Sequence, residues 1–150
     1  MEKAYYLGLD QGTTGETALL LDRDMRVVAR GYHEHRQFFP KPGWVEHVPQ
    51  EILDSLLKAA EQAMRNASVC WEQIRSIGLA NQGETCLMWD RYTGEPVYPA
   101  IVWQDRRTST AADALAQQHR EDIQQRTGLI VDGYFSATKL QWIMDNVPQV

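Results

Sequence analysis

The sequence predicts an α/β domain, and three observations support this prediction. Three short apolar runs near the N-terminus are separated by brief polar breaks, as in a β-meander. An amphipathic segment follows them, with apolar residues recurring at helical spacing. Further strand-like and helix-like segments then occupy the rest of the chain. Strands followed by mixed strands and helices are typical of α/β architecture.

Six segments have the composition of strands, and three have the pattern of helices. The predicted strands comprise residues 5–9, 17–21, 27–32, 74–80, 85–89 and 97–103. The predicted helices comprise residues 49–66, 108–118 and 138–146, and Pro148 would end the last one. The apolar side of the first helix is predicted to contain Ile52, Leu53, Leu56, Leu57, Ala60 and Met64. That of the last helix is predicted to contain Leu140, Ile143 and Met144.

Length and composition restrict the classes of function. A chain of 150 residues is long enough for one domain with a hydrophobic core. The formal net charge of -5 argues against a nucleic-acid partner, which requires a basic face. Two cysteines do not make a disulfide framework, so we expect reduced thiols. No apolar run approaches the roughly 18 residues of a membrane span, and residues 1–4 show no signal-peptide pattern. We therefore expect a cytoplasmic protein without a membrane partner.

The first candidate site is Asp10 with the segment that follows it, residues 11–16, here called the Gly12 loop. Gly12 allows a tight turn and a close approach of the backbone to a ligand. Backbone N–H groups and the hydroxyls of Thr13 and Thr14 can donate to phosphate oxygens, and Asp10 can hold Mg²⁺. An ordinary hairpin with a polar tip explains the same residues, and neither a Walker-type motif nor G-x-G-x-x-G is present.

Two further candidates follow predicted strands. Gly83 and Glu84 lie after the strand at 74–80, where ligand sites of α/β proteins tend to lie. Glu84 can accept hydrogen bonds from substrate hydroxyls, although a solvated loop carboxylate is an equally simple explanation. Trp103 follows an apolar run and can form the wall of a pocket, or else it is a core tryptophan.

Taken together, these residues resemble the N-terminal part of the FGGY carbohydrate kinase family, and most closely its glycerol kinases. The resemblance covers nearly the whole chain, and the order and spacing of its motifs make it specific. The motifs are LDQGTT at 9–14, PKPGWVEH at 40–47, IGLANQ at 77–82, Glu84-Thr85, AIVWQDRRT at 100–108, TGLIVD at 127–132, Tyr134-Phe135-Ser136 and Thr138-Lys139.

The resemblance implies an actin-like, ribonuclease-H-like fold of two domains, with residues 1–150 forming the N-terminal polyol- or sugar-binding domain. It implies that the full-length protein phosphorylates a small polyol or sugar with ATP and Mg²⁺. By the same resemblance, Asp10 helps to place Mg²⁺, while Gly12, Thr13 and Thr14 bind ATP phosphates. Glu84, Trp103 and Tyr134 line the polyol pocket together with position 83. The family's general base lies beyond position 150, so this chain alone is expected to be inactive.

The sequence departs from the glycerol-kinase pattern at two places. Those kinases carry an arginine where this chain has Gly83, and we expect a pocket for a polyol or sugar of four or five carbons. They carry serines at the positions of Gly15 and Glu16 and an arginine at that of Thr17. We expect Glu16 to point into water, away from the phosphates. These departures motivate one alternative, a catalytically weak sensor of polyol or nucleotide. A second alternative, an actin- or chaperone-type ATPase without a polyol site, is opposed by Glu84, Trp103 and the segment 100–108. A homo-oligomer is compatible with the sequence.

Overall fold

The structure, a computed structural model, describes residues 4–148 and Val150, so the prediction made for residues 1–3 lies outside it. The described strands are β1 (Tyr5–Gln11), β2 (Gly15–Leu21), β3 (Val27–Glu34), β4 (Glu46–His47), β5 (Ile74–Asn81) and β6 (Ala100–Ile101). The described helices are α1 (Pro49–Ala67), α2 (Ser109–Thr127) and α3 (Ser136–Asn146), with a 3-10 turn at Trp71–Gln73. The chain divides into two compact units, which meet in sequence at residues 36/37, 49/50 and 82/83.

The first unit contains a four-stranded mixed sheet with the order β3-β2-β1-β5. β1, β2 and β3 form the predicted antiparallel meander, and β5 pairs with β1 in parallel. α1 begins at Pro49, whose missing N–H is tolerated in a first helical turn. The strands predicted at 5–9, 17–21, 27–32 and 74–80 and the helix predicted at 49–66 are confirmed, with slightly wider bounds.

Small residues bring α1 against the sheet of the first unit. Ala59, Ala60 and Ala63 are buried with Leu7 and Leu20 in one core cluster. The approach is so close at Gly31 that a Cβ there would lie 1.9 Å from the carbonyl oxygen of Ala59. The predicted apolar side is therefore wrong in part: Leu53 and Leu57 are exposed, because the alanine side of the helix permits the shorter distance.

The second unit has little regular strand structure. β4 and β6 form a two-stranded antiparallel pair. The strand predicted at 85–89 is reduced to two isolated bridges, Cys86 with Ile101 and Trp89 with Pro96. The strand predicted at 97–103 is reduced to β6. These predictions were too long because the segments pair at single residues and turn between them, as at Asp90, which accepts hydrogen bonds from the N–H groups of Tyr92 and Thr93.

A buried arginine connects the segments of the second unit. Arg107 forms ion pairs with Glu46 and Asp105, both at 2.8 Å. Its guanidinium lies 3.8 Å from the ring centroid of Trp44 and 4.7 Å from that of Trp142. Paired charge and aromatic faces together make its burial tolerable. This network fixes the end of the 100–107 segment, which carries Trp103.

The helices of the second unit differ from their predicted bounds and faces. α2 continues past residue 118 to Thr127, and the Gly128 that follows has a φ of +74°, the left-handed conformation that closes many helices. α3 buries Lys139 and Ile143, whereas Met144 is 49% exposed. The predicted apolar side of α3 is therefore wrong at Met144, since the buried side includes a lysine.

Both cysteines, Cys70 and Cys86, are free thiols, and burial raises the pKa of the Cys86 thiol. None of the helices within residues 4–148 combines the length and the apolar character that a membrane crossing requires.

Candidate functional site

The predicted site residues fall into both units. Asp10, Gly12, Thr13 and Thr14 lie in the first unit, at the connection of β1 and β2. Gly83, Glu84, Trp103 and Tyr134 lie in the second unit. Within each unit the structure brings the predicted residues together, so each group is a local site that can be described by itself.

The Gly12 loop is a tight connection in which the backbone leaves no room for a side chain. Gln11 pairs with Glu16 across β1 and β2. A Cβ on Gly12 would lie 2.5 Å from the carbonyl oxygen of Gly15. The Gly12 carbonyl accepts hydrogen bonds from the side chains of Gln11 at 2.9 Å and Gln82 at 3.3 Å. The loop is therefore held in shape, while Thr14 remains exposed to solvent.

Asp10 is at the carboxyl end of β1 and is exposed. An exposed single carboxylate beside a turn rich in donors suits Mg²⁺, which takes one or two carboxylates and fills its other positions with water and phosphate oxygens. The residues present therefore fit a magnesium ion bound together with a phosphate group.

The prediction that Glu16 points into water is wrong. The Glu16 side chain is fully buried, and its Oε1 lies 3.0 Å from Nδ1 of His35, which is buried as well. Burial raises the pKa of Glu16 to about 7; hydrogen bonds from Gln11 and Gly12 act in the opposite direction, and the charge of Asp10 adds to the rise. The sequence prediction failed because the partner of Glu16 follows the neighbouring strand β3, 19 residues further along the chain.

Glu84 is anchored at the start of α3. Its Oε2 accepts hydrogen bonds from the backbone N–H of Ser136 at 2.8 Å and from the Ser136 hydroxyl at 2.7 Å. The N-terminus of a helix carries partial positive charge and unsatisfied N–H groups, so a carboxylate is favourable there. One oxygen of Glu84 is thus used for positioning, and Oε1 remains for a ligand.

Three more residues complete what we call the Glu84 cluster: Trp103, Tyr134 and Lys139. The rings of Trp103 and Tyr134 meet edge to face with centroids 5.9 Å apart. The fully buried Lys139 donates from Nζ to the carbonyl oxygen of Glu84 at 3.1 Å and to that of Tyr134. A single ammonium group therefore ties together the two segments that carry the predicted polyol ligands.

Gly83 has space around it and an unusual backbone. Its φ is +58°, and nothing lies within 4 Å of the position a Cβ would occupy. Glu84 also has a positive φ, of 53°. Backbone conformation therefore favours glycine at 83, while the surrounding space would admit a larger group.

Sequence reasoning missed two functional candidates, Lys139 and His35. Lys139 could have been found, because it lies four residues before the buried Ile143 and so occupies the apolar side of α3. His35 follows β3 and carries no such signal, since its role depends on strand register.

The family of the chain follows from comparison with known proteins. The model of the FGGY family of carbohydrate kinases, N-terminal domain, matches residues 5–150. A glycerol kinase of Deinococcus radiodurans is 48% identical over 147 residues, which are 98% of this chain and 29% of that protein. The chain thus spans less than a third of the length of the curated relatives it matches.

Solved structures agree in fold. A Plasmodium falciparum glycerol kinase with ADP matches 98% of this chain and 30% of its own, with 33% identity and a TM-score of 0.88. A xylulose kinase from Rhodospirillum rubrum matches 97% of this chain and 30% of its own, with 26% identity and a TM-score of 0.85. The fold is therefore that of the actin-like, ribonuclease-H-like carbohydrate kinases. The chain belongs to the FGGY family of carbohydrate kinases, and it is similar to its glycerol kinases.

Proposed function

We propose that the full-length protein transfers the γ-phosphoryl group of ATP to a hydroxyl group of a small polyol or sugar. The observation that carries the proposal is the Glu84 cluster, in which an anchored carboxylate and two aromatic rings lie together. Carboxylates accept hydrogen bonds from hydroxyl groups, and aromatic faces suit the carbon side of a polyol. Residues 1–150 then act as the polyol- or sugar-binding N-terminal domain.

The polyol is held by Glu84, Trp103, Tyr134 and the backbone at Gly83. Glu84 accepts hydroxyl protons through Oε1, because Oε2 is bonded to Ser136. Trp103 and Tyr134 form the apolar wall. Such positioning lowers the barrier because the attacking hydroxyl is oriented before reaction.

The ATP phosphates bind at the Gly12 loop, through the backbone at Gly12 and the hydroxyls of Thr13 and Thr14. Asp10 holds Mg²⁺, which supplies charge neutralisation at the phosphates when it is bound. Phosphoryl transfer depends mainly on such positioning and charge stabilisation. The general base and most of the nucleotide site belong to sequence beyond residue 150, so these 150 residues alone are expected to be inactive.

The absence of a side chain at Gly83 favours a polyol or sugar of four or five carbons. A hydrogen bond to a charged group contributes about 1.5–3 kcal/mol, so without the arginine of typical glycerol kinases glycerol binding is expected to be weaker by roughly 10- to 150-fold. The space around position 83 can instead receive additional carbons and hydroxyls.

The test is ADP release by the full-length protein with Mg-ATP, comparing glycerol with four- and five-carbon polyols and keto-sugars. We expect a longer substrate to have the highest kcat/KM. Glu84→Gln keeps an oxygen for Ser136 but lowers kcat/KM for the polyol by about 10- to 100-fold, since the charged acceptor is lost. Glu95→Gln, an exposed carboxylate of the second unit, is the matched control. A clear preference for glycerol would contradict the role given to Gly83.

A second candidate function is a sensor that binds polyol or nucleotide with little turnover. It is favoured by Gly83 and by the buried Glu16 in the proposed nucleotide site. A sensor would show ligand-induced stabilisation without ADP release. An actin- or chaperone-type ATPase would instead release ADP at a rate independent of any polyol. In each case the partners are small molecules, and we expect a cytoplasmic protein.

A further inference from the structure

The base of the Gly12 loop is packed against β3 more tightly than a hairpin requires. A Cβ on Gly15 would lie 2.7 Å from the Tyr32 hydroxyl and 2.8 Å from the His33 carbonyl oxygen. Only glycine is therefore compatible with this arrangement of Tyr32. Gly15 and the residues of β3 that face it are therefore packed in direct contact.

Glu16 and His35 continue this close packing into the protein interior. Their side chains are both 0% exposed, with Nδ1 of His35 at 3.0 Å from Oε1 of Glu16. His35 also makes a hydrogen bond to the backbone of Thr13, which raises the histidine pKa and is therefore donated by the ring. A single imidazole thus joins the base of the loop, at Glu16, to its tip, at Thr13.

The described residues that influence the pair lie on β1, in the Gly12 loop and on α1. Glu16 is influenced by the side chain of Gln11, the backbone of Gly12 and, through its charge, Asp10 of β1. His35 is influenced by Glu51 of α1, which forms an ion pair with Arg36. Burial lowers the pKa of His35 and raises that of Glu16, so at a pH below about 7 the pair is stable as a protonated carboxyl beside a neutral imidazole.

We propose that Glu16 and His35 are positioning residues of the nucleotide site, which hold the Gly12 loop in its phosphate-binding shape and couple MgATP binding to a proton on the pair. The inference rests on the proposed function, in which this loop binds the phosphates of ATP. When Glu16 is ionised, its negative charge lies in the same loop as the phosphates. Phosphate binding therefore favours the protonated carboxyl, and at a pH near or above neutrality Glu16 takes up a proton from the solvent as MgATP binds.

The first measurement is the pH dependence of KM for MgATP with the full-length protein. A rise of about one pKa unit on phosphate binding would increase this KM by about five- to tenfold between about pH 6.5 and 8.5. Glu16→Gln, whose amide can donate to Nδ1 of His35 but cannot ionise, is expected to remove this increase and to leave KM for the polyol unchanged. Glu34→Gln, an exposed carboxylate on β3, is expected to behave as the wild type.

The second measurement starts with the wild type, whose result alone can overturn the inference. Titration calorimetry of the wild type with MgADP, in two buffers of different ionisation enthalpy at about pH 7.5, is expected to show uptake of about half a proton. No uptake, or an uptake that persists in Glu16→Gln, would overturn the inference while normal turnover leaves the proposed function intact. If MgADP does not bind at all, both the inference and the proposed function are wrong.

Discussion

The Gly12 loop and the Glu84 cluster keep their shapes by different physical means. In the Gly12 loop the backbone segments approach so closely that side chains are excluded at Gly12 and Gly15. In the Glu84 cluster the backbone is open, as the space around Gly83 shows, and side-chain hydrogen bonds supply the order. The first region should therefore be sensitive to added atoms and to buried charge, and the second to the loss of polar groups.

The largest expected effect concerns the buried charge of Glu16. Its pKa is raised from 4.5 to about 7 in the folded protein, so between these values the folded state keeps a proton that the unfolded chain has lost. The stabilisation from the protonated Glu16 carboxyl is complete below about pH 4.5 and is lost as the pH rises through about 7. Its full size is about 3 kcal/mol. Glu16→Gln removes this dependence.

We therefore expect Glu16→Gln to match the wild type near about pH 4.5 and to be more stable by about 3 kcal/mol near pH 8, measured by urea unfolding of the full-length protein. The lowered pKa of His35 gives the opposite slope, with stability falling as the pH decreases below about 6.5, but this contribution is present in both proteins. If the unfolding free energies of Glu16→Gln and the wild type differ by the same amount at both pH values, Glu16 is not buried as a neutral acid.

The next effect concerns Lys139 in the Glu84 cluster. Lys139→Met keeps the length of the side chain but leaves the carbonyl oxygens of Glu84 and Tyr134 without their charged donor. We expect a loss of about 2 kcal/mol in unfolding free energy and a higher KM for the polyol, with KM for MgATP unchanged. Lys58→Met, at an exposed lysine of α1, is the matched control. A rise in both KM values would show that Lys139 supports the fold in general and not this cluster.

The same contrast explains how much could be predicted from the sequence. The meander and α1 follow from short-range periodicity, so their bounds were predicted within a few residues. The length and pairing of the strands in the second unit could not be predicted, because Ile101 pairs with both Glu46 and Cys86, which lie far from it along the chain. No local pattern specifies such pairings.

Site residues divide in the same way. The motifs indicated Glu84, Trp103 and Tyr134 as one pocket, and the structure brings their segments together. The motifs gave no information on Glu16, where the chain departs from the family pattern and where solvent exposure was the simpler expectation. The environment of Glu16 is determined by His35, which follows β3, the strand paired with β2 by long-range hydrogen bonds. Departures from a family pattern are thus the positions where the structure adds most.

The smallest expected effect tests the close backbone of the Gly12 loop with two glycines of the first unit. Gly12→Ala places a Cβ 2.5 Å from the Gly15 carbonyl oxygen, so the loop must open, and we expect a loss of about 1–2 kcal/mol. Gly78→Ala on β5 meets nothing within 4 Å and should be neutral or stabilising by about 0.5 kcal/mol, since alanine restricts the unfolded chain.

Unfolding midpoints and KM for MgATP of the two variants check this comparison. Gly12→Ala should raise KM for MgATP by about tenfold, a difference of about 1.4 kcal/mol, while Gly78→Ala leaves it unchanged. The polyol KM should stay the same in both variants, because the Glu84 cluster belongs to the other unit. If Gly12→Ala binds MgATP as the wild type does, the loop tolerates opening, and close backbone packing is then a property of the fold without a role in phosphate binding.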